Sequence, residues 1–546
     1  MLEWFSWIGR DIRQDIRRRL PYYVSDWTDA VNYRVIPSVV YIFFANILPA
    51  IAFAQDMFDR TDGAYGVNEV LMGSAMGGVV FGLLAGQPLC VVGVTGPITI
   101  FTYTIFDIIV PKHVNFFAFM CWVNIWAFIM HVLIAVFNGV RYMRFITQFS
   151  ADIFGCFINI IYIEKGIQIL IRHFEQADTN SRTGLAASYF QIVVALCMLI
   201  FGVSFVLILG SNESFWGRPW MRKFVADYTL PILVVFFTGF TFFPGRISVL
   251  HDEVLRLSTD KAFQPSESST NYGREHGWFI HFWNIPVGYV FLAIPFAILL
   301  TLLLYFDHNI SAIMAQDPRF HFSKPSSFHW DFILLGCTTL VAGFLGIPAP
   351  NGLIPQAPLH VQSLASGHKD PNTGLETIVD QRLTNSLQGL ATIGMMTGPL
   401  LIVLHLVPQG VLAGLFFMMG VPGLINNELI RRLKLLVTDP DKRDAQDPLN
   451  QIPKLHLLGF LVISALGTAG EVAITQTIAA IGFPGVLFVL MVLAVVLHRW
   501  WPASEIAILD PPAASDYVMS TLDKRLQERL EKEKEDALYE TYSASE

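Results

Sequence analysis

Charge is scarce in this chain of 546 residues: Asp, Glu, Lys and Arg make up 15% of it, whereas hydrophobic residues make up 53%. The mean hydropathy is correspondingly high, at +0.50. Apolar runs of about 20 residues recur along most of the sequence, and each is long enough to cross a lipid bilayer as a helix. These features exclude a soluble globular protein and predict an all-α polytopic membrane protein.

Signatures of enzymes and of ATP-driven pumps are also missing. The sequence contains no HExxH, no Walker A motif, no GxSxG, and no GxGxxG that opens a βαβ unit. A transporter without a nucleotide-binding motif must be driven by gradients of ions or of its substrate. We therefore expect no enzymatic activity, no cofactor, no metal and no nucleic-acid partner. Cysteine is rare too, and without metal-site or disulfide spacing the five residues are predicted to be buried fillers: Cys90, Cys121, Cys156, Cys197 and Cys337.

Two sets of apolar spans, separated by a long polar segment, account for the hydrophobic runs. The first set is expected at residues 35–55, 69–86, 88–107, 114–138, 151–171, 186–209 and 225–243. The second set is expected at residues 283–306, 331–347, 353–366, 386–406, 409–425, 455–468 and 471–499. An odd number of spans in each half makes the second half enter the membrane from the opposite side, as an inverted repeat requires. We therefore predict 14 transmembrane segments in a 7+7 inverted repeat.

These spans divide the chain into five parts. Residues 1–32 form a charged N-terminal segment, predicted to be an amphipathic helix whose arginines face anionic cytoplasmic lipid. The remaining parts are a first repeat at 33–243, an extracellular loop with a short amphipathic helix at 244–282, a second repeat at 283–501, and a polar cytoplasmic tail with a solvated helix at 502–546.

Lysine and arginine are concentrated on one side of this predicted topology. With the N-terminus inside, the cytoplasmic side holds the arginines between Arg10 and Arg19 together with Arg141, Lys324 and Arg431. The positive-inside rule then places both termini in the cytoplasm. Glycosylation sequons at Asn212 and Asn309 fall on the same side, so we expect neither to carry a glycan.

Two apolar segments are interrupted by glycine and proline, one in each half of the chain. The first runs from Gln87 to Asp107 and breaks at 96–97, and the second runs from Gly346 to Leu364. Proline suits the first turn of a helix, because its missing N–H would have no partner there. Paired interruptions of this kind indicate the substrate site of a secondary transporter. The alternative interpretation is that these interruptions have no functional role, because glycine and proline are common in membrane helices in general.

Such breaks predict two half-helices whose N-termini meet near the middle of the membrane. Each N-terminus carries roughly half a positive charge and offers unpaired N–H groups. Together they stabilise an anion, or a neutral molecule rich in acceptor oxygens, and they disfavour a cation. The extended pieces that precede the half-helices, near residues 89–94 and 353–356, need backbone partners at membrane depth, and we expect them to pair with each other.

Ionisable residues inside the predicted spans are functional candidates, because charge is costly in lipid. Asp307 ends the apolar run FAILLTLLLYFDHNI, and its position alone leaves open an interfacial helix-end charge or a carboxylate that faces a cavity. Glu164 and Lys165 are interpreted as an interfacial pair. Four further residues are interpreted as structural: Asp152, Glu428, His131 and His405.

Several stretches of the chain resemble the bicarbonate-transporter superfamily (solute carrier family 4), which includes anion exchangers and borate exporters. They are LAGQPLCVVGVTGP at 84–97, RYMRFITQFSADIFGCFINIIYIEK at 141–165, GWFIHFW at 277–283 and KPSSFHWDFILLG at 324–336. The stretch LGIPAPNGLIPQAPLHVQSLA at 345–365 resembles the borate-exporter branch, and its fungal members in particular.

The resemblance implies a core domain and a gate domain, a homodimer that contacts through the gates, and elevator-type movement of core against gate. Spans 1–4 and 8–11 are expected to form the core, and spans 5–7 and 12–14 the gate. Asp307 matches a family carboxylate on span 8 that takes part in transport. Anion exchangers hold the anion with an arginine on span 10. The matching position here is Gln362, with His360 nearby, which weakens the case for chloride–bicarbonate exchange.

We therefore expect a borate exporter of the plasma membrane, with the vacuolar membrane as a second location, that moves borate or boric acid outward by alternating access. The expected substrate-binding residues are Thr95, Gly96, Pro97, Gln356, Ala357, Pro358, His360 and Gln362, with Asp307 as the coupling carboxylate. The alternative within transport is an exchanger of bicarbonate or another inorganic anion. The alternative of a different class is a membrane scaffold that transports nothing.

Overall fold

The fold is known from a computed structural model, and it is mainly helical. The described residues are 8–176, 182–209, 217–245, 247–275, 277–369, 374–439, 442–443, 447–511, 513, 515–522, 526, 528–529 and 532. The helices of the first half are α1 (Arg10–Arg19), α2 (Tyr23–Thr28), α3 (Val35–Arg60), α4 (Val67–Leu84), α5 (Gly96–Ile109), α6 (Phe116–Val136), α7 (Gln148–Gln176), α8 (Arg182–Val203) and α9 (Pro219–Phe240).

The second half of the chain follows with a similar set of long and short helices. These are α10 (Val287–Met314), α11 (His329–Leu345), α12 (Gln356–Ser363), α13 (Leu383–Gly394), α14 (Gly398–His405), α15 (Gln409–Ile425), α16 (Glu428–Val437), α17 (Lys454–Thr475), α18 (Phe483–Trp500), α19 (Ala503–Leu509) and α20 (Asp516–Ser520). The strands are short, namely β1 (Val92–Gly93), β2 (Phe320–His321), β3 (Asn351–Gly352), β4 (Ala365–Lys369) and β5 (Glu376–Ile378). Strand β1 pairs with β3, and β5 lies between β2 and β4.

Eight helices in the described ranges are long and apolar enough to cross a membrane, and the number rises to 10 if two sharply bent pairs each count as one span. Helices α13 and α14 meet at an angle of 84°, and α15 and α16 meet at 54°. Four predicted spans remain, and they coincide with the half-helices α5 and α12 and with two shorter apolar helices in α9 and α11. Fourteen crossings in an inverted repeat therefore remain a prediction.

The helices pack as two bundles. The first bundle contains α3, α4, α6 and α10 to α13, which contact mainly one another. The second bundle contains α7, α8, α9, α15, α17 and α18. Helix α5 lies at the junction, where it contacts α3 and α10 on one side and α7 on the other. The two bundles also meet where α15 packs on α3 and where α18 packs on α10.

The N-terminal helix α1 is amphipathic as predicted, but it is anchored to the protein by buried charges. Asp11, Asp15 and Arg19 are each less than 5% exposed. The Asp15 carboxylate accepts hydrogen bonds from three backbone N–H groups at the start of α11, at distances of 2.8 to 3.3 Å. Arg19 pairs with Asp26 at 3.0 Å and with Asp380 at 3.2 Å. The remaining arginines of α1 lie on its other faces, where contact with lipid stays a prediction.

Contacts between loops show which segments lie together at each of the two ends of the helices. On one face, Arg141 pairs with Asp11, and Lys324 pairs with Asp26 at 2.8 Å. On the opposite face, the segment 244–282 folds over the helix ends, where Ser266 donates a hydrogen bond to the Gly63 carbonyl oxygen at 2.6 Å. The short amphipathic helix expected in this loop is wrong for the described residues, which form only 3₁₀ turns at 248–250 and 267–272.

The end of the second repeat also differs from the prediction. Helix α17 runs without a break from 454 to 475, so the boundary expected near 468–471 is wrong. The following turn at 478–482 leads directly into α18. The start of the tail packs on the protein as far as Leu522, the first residue of the predicted solvated helix, since Val518 and Leu522 are 1% and 2% exposed. Most of the helix expected after Leu522 lies outside the described residues.

The structure also tests the predictions on the cysteines and on the glycosylation sequons. Cys90, Cys121 and Cys156 are buried as expected, but Cys337 is exposed. Asn309 lies fully buried within α10, where its side chain bonds to the Tyr305 carbonyl oxygen at 2.7 Å. Asn309 is therefore shielded from glycosylation by its helix, whichever side of the membrane is cytoplasmic. Asn212 lies outside the described residues.

Candidate functional site

The two interrupted segments meet through their strands. Strands β1 and β3 are antiparallel, with Val92 opposite Gly352 and Gly93 opposite Asn351. The N–H of Leu353 extends the pair by donating to the Val91 carbonyl oxygen at 2.9 Å. The expected pairing of the two extended pieces is therefore present, and it satisfies backbone groups that lipid could not.

Each strand leads within a few residues into a half-helix. Helix α5 begins at Gly96 with Pro97 in its first turn, and the side chain of the preceding Thr95 forms no capping hydrogen bond. Helix α12 begins at Gln356 after Pro355, which offers no side-chain cap either.

The first N–H groups of a helix have no partner within the helix. In α12 the Ala357 N–H donates to the Leu353 carbonyl oxygen at 3.0 Å and Pro358 has no N–H, so the N–H of Gln356 is left for a ligand. In α5, where Pro97 has no N–H, those of Gly96 and Ile98 are left.

Three buried polar atoms near these helix starts have no hydrogen-bond partner among the described residues. They are Thr95 Oγ1, Gln356 Oε1 and Asp307 Oδ1, on side chains whose residues are 5%, 4% and 1% exposed. The Gln356 amide nitrogen donates to the Ala45 carbonyl oxygen at 3.2 Å. Because buried polar atoms are normally paired, unpaired ones around two helix N-termini indicate a site for a hydrogen-bonding ligand.

Asp307 lies inside the protein, about two turns before the end of α10. Its Oδ2 accepts a hydrogen bond from Asn351 Nδ2 at 2.8 Å. Strand β3 crosses α10 so closely that a Cβ atom on Gly352 would lie 2.8 Å from the His308 Cα. Of the two interpretations left open by the sequence, the interfacial helix-end charge is therefore wrong. A role of Asp307 in coupling remains a prediction.

Gly96 marks the place where the bundles meet. A Cβ atom there would lie 3.0 Å from the Phe53 ring and 3.5 Å from the Tyr162 ring. The Phe53 ring centroid lies 5.8 Å from that of Tyr162 and 5.2 Å from that of Phe416. These three rings, which we call the aromatic cluster, thus lie between the start of α5 and helices α7 and α15 of the second bundle.

The structure corrects the part of the predicted site on α12. Gln362 is exposed, so it does not line the site, and Gln356 provides the amide at the helix start. His360 is fully buried with both ring nitrogens engaged, Nδ1 with the Leu89 carbonyl oxygen at 2.9 Å and Nε2 with Thr384 Oγ1 at 2.7 Å. His360 therefore positions the loop before β1 and leaves no nitrogen for a ligand. Ala357 is buried and Pro358 partly exposed next to Gln356.

Two cavities approach this region from opposite faces. The first, about 630 Å³, is lined by α5, α7, the end of α17 and the end of α3, and we call it the Lys165 cavity. The second, about 360 Å³, is lined by α7, α10, α15 and the residues just before α12, and we call it the Glu428 cavity. Ile100 in the Lys165 cavity and Pro355 in the Glu428 cavity are each within about one turn of a half-helix start.

Ion pairs join the bundles beside the Lys165 cavity. Asp56 of α3 is fully buried and pairs with Lys165 at 3.1 Å and with Arg172 at 2.6 Å, both on α7. Arg172 also pairs with Asp59 at 2.7 Å. Lys165 additionally donates to the Tyr103 hydroxyl of α5 at 2.9 Å. The interpretation of Glu164 and Lys165 as an interfacial pair is therefore wrong.

The residues interpreted as structural have protein partners. Asp152 pairs with Arg432 at 3.4 Å, and Glu428 pairs with Arg431 at 2.9 Å. His131 Nδ1 lies 2.7 Å from the Ala127 carbonyl oxygen, and His405 Nδ1 lies 2.8 Å from that of Leu257.

Sequence reasoning missed three residues that the structure brings near the site. Asn351 lies within the second interrupted segment and was not a candidate, although it contacts Asp307. Asp56 lies near the end of an apolar span, where a charge is ordinary, and only its contacts with α7 distinguish it. Glu471 stands in α17 with both carboxylate oxygens unpaired. A charge inside an apolar run was the available signal for Glu471.

Comparison with known proteins places this fold among membrane transporters. The family model described as the HCO₃⁻ transporter integral membrane domain matches residues 7–195 and 185–514. Boron transporter 1 of Saccharomyces cerevisiae is 49% identical over 521 residues, which cover 95% of this chain and 88% of that protein. A putative transporter of Schizosaccharomyces pombe is 43% identical over 519 residues, covering 93% and 96%. The transmembrane domain of the cyanobacterial bicarbonate transporter BicA shares the fold with a TM-score of 0.52 at 14% identity, over 82% of this chain and 98% of that domain.

Proposed function

This chain belongs to the HCO₃⁻ transporter family, and from that premise we propose that it is a secondary active transporter that exports boron as borate or boric acid. The similarity to yeast Boron transporter 1 supports this substrate. The observation that carries the proposal is the set of unpaired acceptors, Thr95 Oγ1, Gln356 Oε1 and Asp307 Oδ1, around two uncapped half-helices.

The chemistry of boric acid suits such a site. Its hydroxyl groups can donate to the three unpaired oxygens, and its oxygens can accept from the first N–H groups of α5 and from the Gln356 N–H of α12. The side chains that we place at the site carry no positive charge, since Gln356 stands where the second half-helix begins. A weakly acidic, hydroxyl-rich solute therefore suits the site better than chloride, which donates no hydrogen bond.

Transport then follows by alternating access between the two cavities. We take the first bundle as the core and the second as the gate, with the core moving as an elevator. The ion pairs of Asp56 hold α3 and α7 together beside the Lys165 cavity, and opening on that face requires their separation. We further propose a homodimer in the plasma membrane, with both termini and the face of Asp11 and Arg141 in the cytoplasm, which makes the Lys165 cavity extracellular.

The test is transport by the full-length protein in liposomes. Vesicles loaded with boric acid, bicarbonate or chloride are compared, each with and without a pH gradient, and efflux is measured against empty liposomes. Faster efflux of boric acid than of the other two supports the proposal. The family description makes bicarbonate the second candidate, and preferential bicarbonate flux would replace boron with it. No flux of any of the three solutes would favour the scaffold.

A further inference from the structure

Glu471 is a buried carboxylate that the transport scheme above does not use. It lies in α17 of the second bundle and is 0% exposed. Neither of its carboxylate oxygens has a hydrogen-bond donor among the described residues. It is within electrostatic range of Asp307, which belongs to the first bundle. Two buried carboxylates, one in each bundle, thus lie on helices that both pack on α18.

The face of α17 that carries Glu471 packs against α7 and α18. One turn earlier, a Cβ atom on Gly467 would contact Leu490 of α18 at 2.9 Å and Ile153 of α7 at 3.1 Å. Glu471 therefore lies along the seam between α7 and α18, and α18 itself packs on α10, the helix of Asp307. Cys156 of α7 is within electrostatic range of Glu471 on the same seam.

The pair lies between the two cavities. Thr475, one turn after Glu471, lines the Lys165 cavity. Ile310, one turn after Asp307, lines the Glu428 cavity. A proton that enters from one cavity and leaves to the other would therefore find a carboxyl group within about one helical turn on each side.

Several charged groups of the elements around Glu471 are paired with other residues. On α7, Asp152 pairs with Arg432, Lys165 with Asp56, and Glu164 accepts hydrogen bonds from Gln168 and Gln476. On α16, Arg431 pairs with Glu428 and Asp447. On α18, His498 lies 3.5 Å from Asp510. None of these cations is paired with Glu471, and its interacting partners are Asp307 and the thiol of Cys156.

A lone carboxylate at such a depth is much more stable when protonated, since nothing replaces its hydration. Two interacting carboxyl groups bind protons as a pair, because ionising one makes it harder to ionise the other. Movement of the core against the gate changes the distance between the two groups. That movement must therefore change how tightly the pair holds its protons.

We propose that Glu471 is the proton-binding partner of Asp307, and that the two form a proton-sharing carboxyl pair across the junction of the bundles. The transfer step takes place when movement of the core against the gate brings the two groups into hydrogen-bond contact. The Glu471 carboxylic acid then gives its proton to the Asp307 carboxylate, leaving a Glu471 carboxylate and an Asp307 carboxylic acid. Water in the Lys165 cavity resupplies Glu471, and water in the Glu428 cavity accepts the proton from Asp307. The link to boron movement rests on the proposed function, whereas the protonated state of the pair does not.

Infrared spectroscopy of the purified full-length protein tests the pair without any transport. The carbonyl stretch of protonated carboxylic acids is compared at neutral pH between the wild type, Glu471→Gln and Asp307→Asn. We expect Glu471→Gln to lose part of this band and Asp307→Asn to shift what remains. Glu267→Gln is the control, because Glu267 is exposed and ion-paired with Lys261 at 2.6 Å, and should leave the band unchanged. A band that is identical in Glu471→Gln and wild type overturns the proposal.

Efflux from liposomes tests the coupling. We expect the ratio of boron efflux with and without a pH gradient to fall to one in Glu471→Gln and to keep its wild-type value in Glu267→Gln. A wild-type ratio in Glu471→Gln overturns the coupling role. If the wild type moves no boron, the proposed function fails, and the infrared band still decides the pair. If Glu471→Gln does not fold, Glu471→Asp replaces it, with a shifted band expected and an unshifted band as the contrary result.

Discussion

Asn351 donates a hydrogen bond of 2.8 Å to the carboxylate of Asp307. This contact joins the strand that precedes one half-helix to the long helix α10, on which Asp307 is 1% exposed. Strand β3 is in turn paired with β1. The carboxylate and both half-helices are therefore linked through one pair of strands.

Asp307→Asn should abolish boron transport while the protein still folds. The amide keeps an oxygen that can accept from Asn351, but it can neither ionise nor carry a proton. Efflux should fall to the level of empty liposomes at matched amounts of reconstituted protein. Asp317→Asn serves as the control, because Asp317 pairs with Arg319 at 2.6 Å outside the site. Wild-type efflux in Asp307→Asn would remove this residue from the transport step.

Gly96→Val should also abolish transport, because its side chain would enter the aromatic cluster. Even a Cβ atom lies at 3.0 Å from the Phe53 ring, and overpacking of this kind costs about 1–3 kcal/mol. The expected result is a monodisperse protein in gel filtration with no boron efflux. Gly288→Val in α10 is the matched control, since a Cβ atom there contacts nothing within 4 Å. Normal efflux by Gly96→Val would show that the start of α5 tolerates bulk and does not approach the solute.

Gln356→Arg should shift selectivity from boric acid toward permanently charged anions. The substitution places a fixed positive charge at the first residue of α12, beside two helix N-termini that already favour anions. Competition between boric acid and chloride or bicarbonate in liposomes measures the shift. Gln362 matches the position of the anion-exchanger arginine, but it is exposed. Gln362→Arg should therefore keep wild-type selectivity. An effect of Gln362→Arg without one of Gln356→Arg would contradict this placement of the site.

Asp56→Asn should destabilise the closed junction beside the Lys165 cavity. Removing one partner of a buried ion pair costs about 3–5 kcal/mol. Here Lys165 would lose its carboxylate partner, and Arg172 would keep only its pair with Asp59. A lower thermal unfolding temperature of the purified protein is expected, together with faster labelling of a cysteine introduced at Thr104 in that cavity.

Asp107→Asn is the matched control for this experiment. Asp107 pairs with Arg60 at 3.4 Å, but the two side chains are 55% and 45% exposed, and exposed pairs contribute about 0–1 kcal/mol. Equal unfolding temperatures for Asp56→Asn and Asp107→Asn would mean that the buried pairs do not hold the bundles together.

The half-helices were predictable because their signals are local. A glycine–proline break at 96–97 and a proline-rich run before 356 can be read from the residues themselves, and the need for backbone partners in lipid then predicts that β1 and β3 pair. The face that each residue of α12 presents was not predictable. With only eight residues, the helix has too few turns for its hydrophobic period to distinguish Gln356 from Gln362.

Long-range ion pairs were the other feature beyond sequence reasoning. The arginines of α1 suggest contact with lipid, yet Arg19 is fixed by Asp26 and Asp380. Nothing in the sequence near Arg19 indicates that Asp380 is its partner. The same applies to Lys165, whose neighbour Glu164 looks like its partner, although its actual partner Asp56 lies on α3. Pairing of this kind depends on tertiary packing that local patterns do not encode.

The pairing of β1 with β3 also has a consequence for how the protein is made. Strand β1 belongs to the first half of the chain, and its partner emerges from the ribosome only after the long loop and the helices α10 and α11 have been synthesised. At about 5–20 residues per second, the delay is on the order of tens of seconds. During that time the newly inserted first half exposes strand edges with unsatisfied backbone groups inside the membrane. We therefore expect the insertion machinery to shield these backbone groups until the second half is inserted. Truncated chains that end before β3 are expected targets of membrane quality control.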